Sequence, residues 1–269
     1  MPFELLVLDL DGTLLRDGLE LHPAQVKAFR QAMTRGLAVT LATGRMPRAT
    51  NPYVVELGIT APVIFYNGAL VREPLSGVDL LSLGLPPGLP WKAHQSFAHA
   101  PVHPLFYRSD SLYCLALTPP IVTYCRERRV TALVVEEPEG FLGSGTFVKC
   151  VFIGHPADLR ILRAELTALL GSEVRLVNSS PDHLELLPPG ASKGAALRFL
   201  AGHLGVPLSQ VIAVGDEEND LDMLREAGVG IAMPHAPEDV RAAADRVVAS
   251  AEAGDLLALL AEICPERFG

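Results

Sequence analysis

Short apolar runs that end in small polar residues recur along the chain. The first run, residues 3–8, is almost wholly apolar and is followed by Asp9, Asp11 and Gly12. Residues 37–42, 62–66 and 210–214 repeat this form, and residues 229–233 make a fifth apolar run. Such runs are typical of strands that are buried on both faces of a parallel sheet.

Segments with helical character separate these runs. Pro23 suits the first turn of a helix that ends near Arg35, and a further helix ends near Gly58. Helices are also expected at about 193–205, 221–226, 237–244 and 255–263, with a last short strand at 246–248. Strands that alternate with helices form parallel sheets through right-handed crossovers. We therefore predict an α/β fold with a doubly wound parallel sheet.

The pattern changes between two clusters of turn residues, 85–90 and 188–190, which are rich in Pro and Gly. Between them, the strand-like runs are residues 111–118, 132–135, 147–153, 174–177 and 183–187, and the helical runs are 121–129 and 157–170. Several of these strands alternate in polarity, as in a sheet with one exposed face. We predict an inserted α+β domain over residues 85–188, and a core of residues 1–84 and 189–269. Trp91, Tyr107 and Arg108 are expected in surface and loop positions.

Composition narrows the classes of function. The 269 residues carry a net charge of -9 with a pI near 5.4, so we expect no nucleic-acid partner. No uncharged apolar run reaches membrane-spanning length, and no basic segment precedes the first run, so we expect a cytoplasmic protein without a membrane partner. The four cysteines lack metal-ligand spacing and fit core positions. We expect a small-molecule ligand and a monomer or weak homodimer.

Candidate chemistry lies where predicted strands end or a helix begins. The candidates are the pair Asp9 and Asp11, then Thr43, then the acidic segment 216–220, and Lys193 at the start of a helix. Ligands of open α/β sheets bind at the carboxyl ends of the strands. Each signal alone also has a structural explanation as a turn, a helix cap, a loop or a solvated lysine.

Taken together, these residues resemble the four motifs of the haloacid dehalogenase superfamily of phosphatases. The sequence Asp-x-Asp-Gly-Thr at residues 9–13 is similar to the nucleophile motif of that superfamily. Residues 67–68, 189–194 and 220–245 resemble its Cof-type branch, in which a type-two cap is inserted between the second and third motifs. The resemblance covers both core segments, and the inserted domain only by position and length. It implies a Rossmann-like core with an α+β cap that contributes substrate contacts.

The resemblance implies Mg²⁺-dependent hydrolysis of small phosphate esters. Asp9 would attack phosphorus to form an aspartyl-phosphate, and Asp11 would serve as general acid and then general base. The expected Mg²⁺ ligands are Asp9, Asp216 and the Asp11 carbonyl, with Asn219 or Asp220 completing the shell directly or through water. Mg²⁺ is needed because a carboxylate does not approach a phosphate dianion unless charge is neutralised.

Further residues are expected at the phosphate and the rest of the substrate. The phosphate-binding set is Thr43, Gly44, Lys193 and Asn219. The candidate substrate contacts are Arg45, Asn67 and His183. Arg45 is equally compatible with a structural ion pair.

One departure from the pattern of the Cof-type branch has two interpretations, and two alternative functions are also compatible with the sequence. Pro234-His235-Ala236 stands where Gly-Asn-Ala is usual, and His235 is either a ligand or a loop histidine with a local hydrogen bond. The leading hypothesis is a phosphatase for sugar phosphates or cofactor phosphates. The alternatives are a phosphotransferase or phosphomutase on the same scaffold, and a regulatory module that binds a phospho-ligand without turnover.

Overall fold

The computed structural model describes residues 2–15, 19–97, 100–250 and 252–269. The chain divides into two compact units. The first unit consists of Met1–Gly44, Thr50–Leu81 and Ser192–Gly269, and the second of Arg45–Ala49 and Ser82–Ala191. That these units are the catalytic core and the cap stays a proposal. No helix within the described ranges combines the length and the apolar character needed to cross a bilayer.

The strands and helices lie in most of the segments that the hydrophobic pattern predicts. The strands are β1 (Leu5–Leu8), β2 (Ala38–Leu41), β3 (Val63–Phe65), β4 (Leu70–Arg72), β5 (Asp79–Ser82), β6 (His103–Arg108), β7 (Ser111–Cys114), β8 (Ala132–Val134), β9 (Lys149–Ile153), β10 (Arg175–Ser180), β11 (His183–Leu187), β12 (Val211–Gly215), β13 (Val229–Ala232) and β14 (Arg246–Val247). The helices are α1 (Pro23–Thr34), α2 (Pro47–Leu57), α3 (Leu89–Phe97), α4 (Pro119–Arg128), α5 (Pro138–Leu142), α6 (Pro156–Leu170), α7 (Lys193–Leu204), α8 (Leu221–Glu226), α9 (Glu238–Ala243), α10 (Ala253–Ile263) and α11 (Pro265–Phe268).

A five-stranded parallel sheet in the order β14-β13-β12-β1-β2 forms the centre of the first unit. All four residues of β1 and all five of β12 are buried, as two-sided burial requires. The register sets Leu8 beside both Val214 on β12 and Leu41 on β2. The residues that follow these strands therefore leave the sheet at one common edge.

The third predicted strand differs from expectation. β3 makes a single parallel bridge to β2, between Ala42 and Ile64, and otherwise pairs antiparallel with β4 in a separate sheet, β3-β4-β5. The cause is the turn after β3, where Tyr66 and Asn67 have φ values of 52° and 54° and Gly68 has 92°. These left-handed conformations reverse the chain direction and start a hairpin instead of a long crossover.

The second unit is built on a six-stranded sheet in the order β10-β11-β9-β6-β7-β8. Its pairs are antiparallel except for β7 and β8. One face packs on an apolar cluster that includes Leu89 and Phe97 of α3, Leu142 of α5 and Leu162 of α6. This arrangement of a mostly antiparallel sheet with helices is an α+β structure.

The expectation of loops around Trp91 and Tyr107 is wrong. Residues 89–97 form α3, which begins inside the cluster predicted to be a linker, and residues 103–108 form β6 near the middle of the sheet. The strand was not predicted because Pro104 cannot donate a hydrogen bond to a sheet ladder, and proline therefore argues against a central strand. It is tolerated because the β7 partners of β6 begin only at Leu105. Tyr107 is buried as a result.

Candidate active site

Asp9 is fixed at the carboxyl end of β1. Its backbone N–H donates to the Val214 carbonyl at 2.9 Å, and the residue is only 4% exposed. The chain then turns tightly, with Gly12 N–H donating to the Leu15 carbonyl at 2.8 Å. Gly12 has φ 82°, and a Cβ there would lie 2.0 Å from Asp216 Oδ2. Glycine is therefore required for this loop to pass beside Asp216.

Lys193 approaches Asp9 from a different part of the chain. It is the first residue of α7, whose start is capped by the Ser192 hydroxyl accepting from the Ala195 N–H at 3.0 Å. Lys193 Nζ lies 2.5 Å from Asp9 Oδ1 and 2.6 Å from Asp220 Oδ1, and the residue is 1% exposed. Lys193 thus joins the loop after β1 to the loop after β12.

The loop after β12 holds two further carboxylates in defined orientations. Asp220 Oδ2 accepts from the backbone N–H groups of Asp216 at 3.0 Å and Glu217 at 3.1 Å. Asp216 Oδ1 accepts from the Thr13 hydroxyl at 3.1 Å, and Asp216 Oδ2 lies 3.3 Å from His235 Nε2. Every carboxylate oxygen of Asp216 and Asp220 therefore lies at hydrogen-bond distance from a neighbouring polar group.

These three carboxylates form a cluster that fits a divalent cation. One oxygen from each of Asp9, Asp216 and Asp220 lies within 4.8 Å of the other two, and all three residues are buried. Hard oxygen donors are the ligands that Mg²⁺ prefers. The Asn219 side chain adds an oxygen, Oδ1, that is buried and has no hydrogen-bond partner among the described residues. The donor set is thus compatible with Mg²⁺.

The electrostatics of the cluster are unbalanced, because three carboxylates face one ammonium group. Burial raises the pKa of Asp9 well above its ordinary value; Lys193 opposes this shift, and Asp220, Asp216 and Asp11 add to it. Burial tends to lower the pKa of Lys193, but Asp220 and Asp9 outweigh it and hold that pKa above its usual range. Lys193 therefore stays cationic, and the raised pKa of Asp9 means that its negative charge is poorly compensated, which a further cation would correct.

Thr43, Asn67 and Asn219 are linked to one another beside this cluster. The Thr43 N–H donates to the Ile64 carbonyl at 2.9 Å, and the Thr43 carbonyl accepts from the Asn67 N–H at 3.0 Å. Asn67 Oδ1 accepts from Asn219 Nδ2 at 2.9 Å. A Cβ at Gly44 would lie 3.1 Å from Asn67 Oδ1, so glycine leaves room for that amide. Two of the expected phosphate-binding residues, Thr43 and Asn219, are thus connected by hydrogen bonds through Asn67.

The remaining sequence candidates lie outside the cluster of Asp9, Asp216 and Asp220. Asp11 is half-buried in the loop after β1, in contrast to the buried Asp9. Arg45 is buried and belongs to the second unit, as does His183. His183 Nδ1 lies 3.0 Å from Asp182 Oδ1, and its ring packs against Tyr124. The roles assigned to these residues stay predictions.

Three residues make contacts at the site that were not predicted from the sequence. Thr13 donates to Asp216, and its signal is its place in the Asp-x-Asp-Gly-Thr motif. His235 contacts Asp216 from the loop after β13. Gly68 has φ 92°, and a Cβ there would lie 2.0 Å from the Ser192 carbonyl oxygen, so it permits close approach to the start of α7. No local pattern shows which distant backbone a glycine must accommodate.

Comparison with known proteins connects this geometry to a family. Residues 6–258 match the family model of the haloacid dehalogenase-like hydrolases. The chain belongs to this family. The match includes most of the first unit and the whole second unit, so the predicted family is confirmed.

Relatives among characterised proteins carry phosphatase names. An HMP-PP phosphatase of Cronobacter sakazakii is 31% identical over 238 residues, which cover 85% of this chain and 83% of the relative. A chloroplast protein of Arabidopsis thaliana named endoribonuclease YBEY is 26% identical over 90% of this chain. The chain spans only 43% of the length of that protein, so this likeness concerns one part of it. The phosphatase names confirm the predicted class of enzyme.

Solved structures confirm the fold class. A Thermotoga maritima protein is 32% identical with a TM-score of 0.78, and the match covers 91% of this chain and 92% of that one. A sugar phosphatase of haloacid dehalogenase subclass IIB has a TM-score of 0.82 at 20% identity, with 97% and 98% covered. The predicted α/β core with an inserted α+β unit is therefore the fold of this chain.

Proposed function

We propose that this haloacid dehalogenase-like hydrolase is a Mg²⁺-dependent phosphatase of small phosphorylated metabolites that works through an aspartyl-phosphate on Asp9. The observation that carries the proposal is the convergence of Asp9, Lys193, Asp216 and Asp220 from three separate segments. A purely structural ion pair needs one carboxylate for one ammonium group. Three carboxylates around one lysine fit a site that holds a cation and an anionic substrate.

Asp9 is the proposed nucleophile. Its Oδ1 is held by Lys193 at 2.5 Å, which fixes the orientation of the carboxylate. Attack of an Asp9 oxygen on phosphorus forms the acyl-phosphate bond and breaks the ester bond, and attack of water then releases phosphate. Splitting the reaction in this way suits a bond whose uncatalysed hydrolysis is extremely slow.

Lys193 and Thr43 are the proposed contacts of the non-bridging phosphate oxygens. Lys193 is buried and remains cationic, so its charge acts in a site with little screening by water. Thr43 is 0% exposed and anchored at both backbone groups, so its hydroxyl is pre-positioned. Fixed donors stabilise charge in the transition state without reorganisation.

Asp11 is the proposed general acid and base. It sits two residues after Asp9, and it is half-buried where Asp9 is buried. A group that gives a proton to the leaving oxygen and takes one from water needs access to both, which this position supplies. Different exposure of two neighbouring carboxylates therefore supports different roles.

Asp9 and Asp216, with the Asp11 carbonyl, are the residues proposed to hold Mg²⁺. When bound, the cation supplies charge neutralisation between the Asp9 carboxylate and the phosphate. Asp220 Oδ1 accepts a hydrogen bond from Lys193, and Asp220 Oδ2 accepts from two backbone N–H groups. Asp220 is therefore suited to position Lys193 and the loop after β12. Asn219 Oδ1, which has no hydrogen-bond partner in the described part of the chain, suits a ligand of the cation or a group that holds a water bound to it.

The substrate class is proposed from the relatives. Their names include an HMP-PP phosphatase and a sugar phosphatase, so both cofactor-like and sugar phosphates belong in a test panel. The second unit is the proposed source of substrate contacts, with Arg45 and His183 as candidates and Asn67 as a candidate from the first unit.

The test is release of inorganic phosphate from a panel of sugar and cofactor phosphates, with Mg²⁺ and then with EDTA. We expect turnover with Mg²⁺, its loss in EDTA, and its return when Mg²⁺ is restored. Unimpaired activity without metal contradicts the cation site. Transfer of phosphate to added sugars in place of water identifies a phosphotransferase, and inactivity across the panel supports the regulatory module.

A further inference from the structure

We infer that His235 is a positioning residue that orients the Asp216 carboxylate for the divalent cation. The inference rests on the proposed function, because it assigns a role toward the cation that function requires. Its basis is the geometry of the loop after β13, which brings an imidazole to a carboxylate already fixed from the other side.

The backbone of this loop is anchored on both sides of His235. The Met233 N–H donates to the Gly215 carbonyl at 3.0 Å, and the Ala236 N–H donates to the Met233 carbonyl at 3.1 Å. Met233 and Ala236 are both buried. The loop is therefore tied to the end of β12, one residue before Asp216, and the His235 side chain is presented from a fixed turn.

The contact requires a donor on the histidine. His235 Nε2 lies 3.3 Å from Asp216 Oδ2. An ionised carboxylate only accepts hydrogen bonds, so the imidazole nitrogen carries the hydrogen. With Thr13 donating to Oδ1 at 3.1 Å, each oxygen of Asp216 has its own side-chain donor. Rotation of the carboxylate about its Cβ–Cγ bond would break both hydrogen bonds.

His235 is a donor to the cluster and not a member of it. Over the described part of the chain, the carboxylates whose oxygens lie within 4.8 Å of one another are Asp9, Asp216 and Asp220, and the imidazole is outside that group. Its side chain is 40% exposed, whereas that of Asp216 is 6% exposed. An imidazole at the rim that donates to a ligand carboxylate fixes that ligand and reduces the reorganisation needed to bind a cation.

The experiment measures Mg²⁺ binding to the full-length, substrate-free protein by titration calorimetry after removal of metal. His235→Phe keeps a planar ring and removes the donor, and His235→Gln restores an N–H donor at similar reach. His203→Phe is the matched control, because His203 is an exposed histidine in the last turn of α7. Groups that orient metal ligands typically change metal affinity by about 10–100-fold.

We expect His235→Phe to weaken Mg²⁺ binding at least about tenfold, His235→Gln to recover most of the affinity, and His203→Phe to bind as the wild type does. In phosphate-release assays, His235→Phe should need more Mg²⁺ for half-maximal rate and should approach the wild-type kcat at saturation. Unchanged Mg²⁺ affinity in His235→Phe overturns the inference and leaves the proposed function standing. Equal losses in the Phe and Gln variants also overturn it, since a donor alone would then not suffice. If the wild type binds no Mg²⁺, both the inference and the proposed cation site fail.

Discussion

Two buried ionic groups, one in each unit, differ in charge balance. In the second unit, Lys149 Nζ lies 2.6 Å from Glu185 Oε2, both side chains are at most 4% exposed, and the lysine sits 4.9 Å from the centre of the Tyr107 ring. In the first unit, Lys193 meets Asp9 and Asp220, with Asp216 close by. Glu185 is thus one carboxylate at hydrogen-bond distance from the Lys149 ammonium group, whereas Lys193 lies among three carboxylates.

The difference separates a structural pair from a binding site. In a buried pair with matched charges and good geometry, each partner compensates the charge of the other, although the pair adds little net stability. A buried cluster with excess negative charge leaves carboxylates uncompensated until a cation arrives. We therefore expect changes to the Lys149–Glu185 pair to alter the free energy of unfolding alone. Changes to the Lys193 cluster should alter cation binding and turnover.

The largest effect is expected for Lys193→Met, with stability measured without metal and turnover measured with Mg²⁺. It leaves three buried carboxylates with no cation, and breaking a buried pair costs about 3–5 kcal/mol of stability. Turnover should fall below detection because the phosphate contact is lost as well. Urea unfolding and phosphate release check the two parts. A variant with wild-type stability would show that the carboxylates do not depend on Lys193.

Glu185→Gln breaks the balanced pair and should destabilise the protein by about 3 kcal/mol. The double change Lys149→Met with Glu185→Leu removes both charges, and we expect its stability to lie within about 1 kcal/mol of the wild type. Urea unfolding compares the three proteins. If the double variant is as unstable as Glu185→Gln, the charges themselves are needed and the pair is more than a self-contained structural element.

Adding Mg²⁺ to metal-free protein should stabilise it through the unbalanced cluster. At a concentration 100 times the Kd, binding adds about 2.7 kcal/mol. Thermal unfolding should show this gain in the wild type and in the Lys149→Met, Glu185→Leu double variant, and should not show it in Asp216→Asn. An equal gain in Asp216→Asn would place the cation elsewhere.

Gly68→Ala tests the close backbone approach beside Lys193. Gly68 and Gly77 both have left-handed φ values, but a Cβ at Gly68 would strike the Ser192 carbonyl, whereas one at Gly77 meets no described atom within 4 Å. Both changes cost about 1 kcal/mol from strain. We expect Gly68→Ala to cost at least about 1 kcal/mol more and to lower turnover, since α7 must shift. Equal stability losses in urea unfolding would show that the loop absorbs the clash.

Much of the fold could be predicted from the sequence because buried strands appear as continuous apolar runs. The runs that became β1, β2 and β12 are apolar and are followed by Asp9, Thr43 and Asp216, so these strands and the polar residues at their ends were predictable from general rules. The hairpin of β3 and β4 was missed because it depends on left-handed backbone at Tyr66 and Asn67. β6 was missed because Pro104 interrupts its pattern.

Within the candidate site, the sequence predicted which residues take part but not which of them contact one another. The motifs select Asp9, Lys193 and Asp216, but no pattern shows that Lys193 bridges Asp9 and Asp220. The contact of His235 with Asp216 joins two loops through pairing of β12 with β13. Such contacts depend on three-dimensional proximity, which local sequence does not encode.

The most direct test of the central claim is the rate of phosphate release by Asp9→Asn in saturating Mg²⁺, with thermal unfolding measured on the same sample. The substitution keeps the shape of the side chain and removes its charge and its nucleophilic oxygen. We expect a rate at least about a thousandfold lower, equal to about 4 kcal/mol of barrier, with the melting temperature of the metal-free protein kept or raised because one carboxylate of the cluster is gone. Substantial turnover by a folded Asp9→Asn protein would contradict covalent catalysis at Asp9.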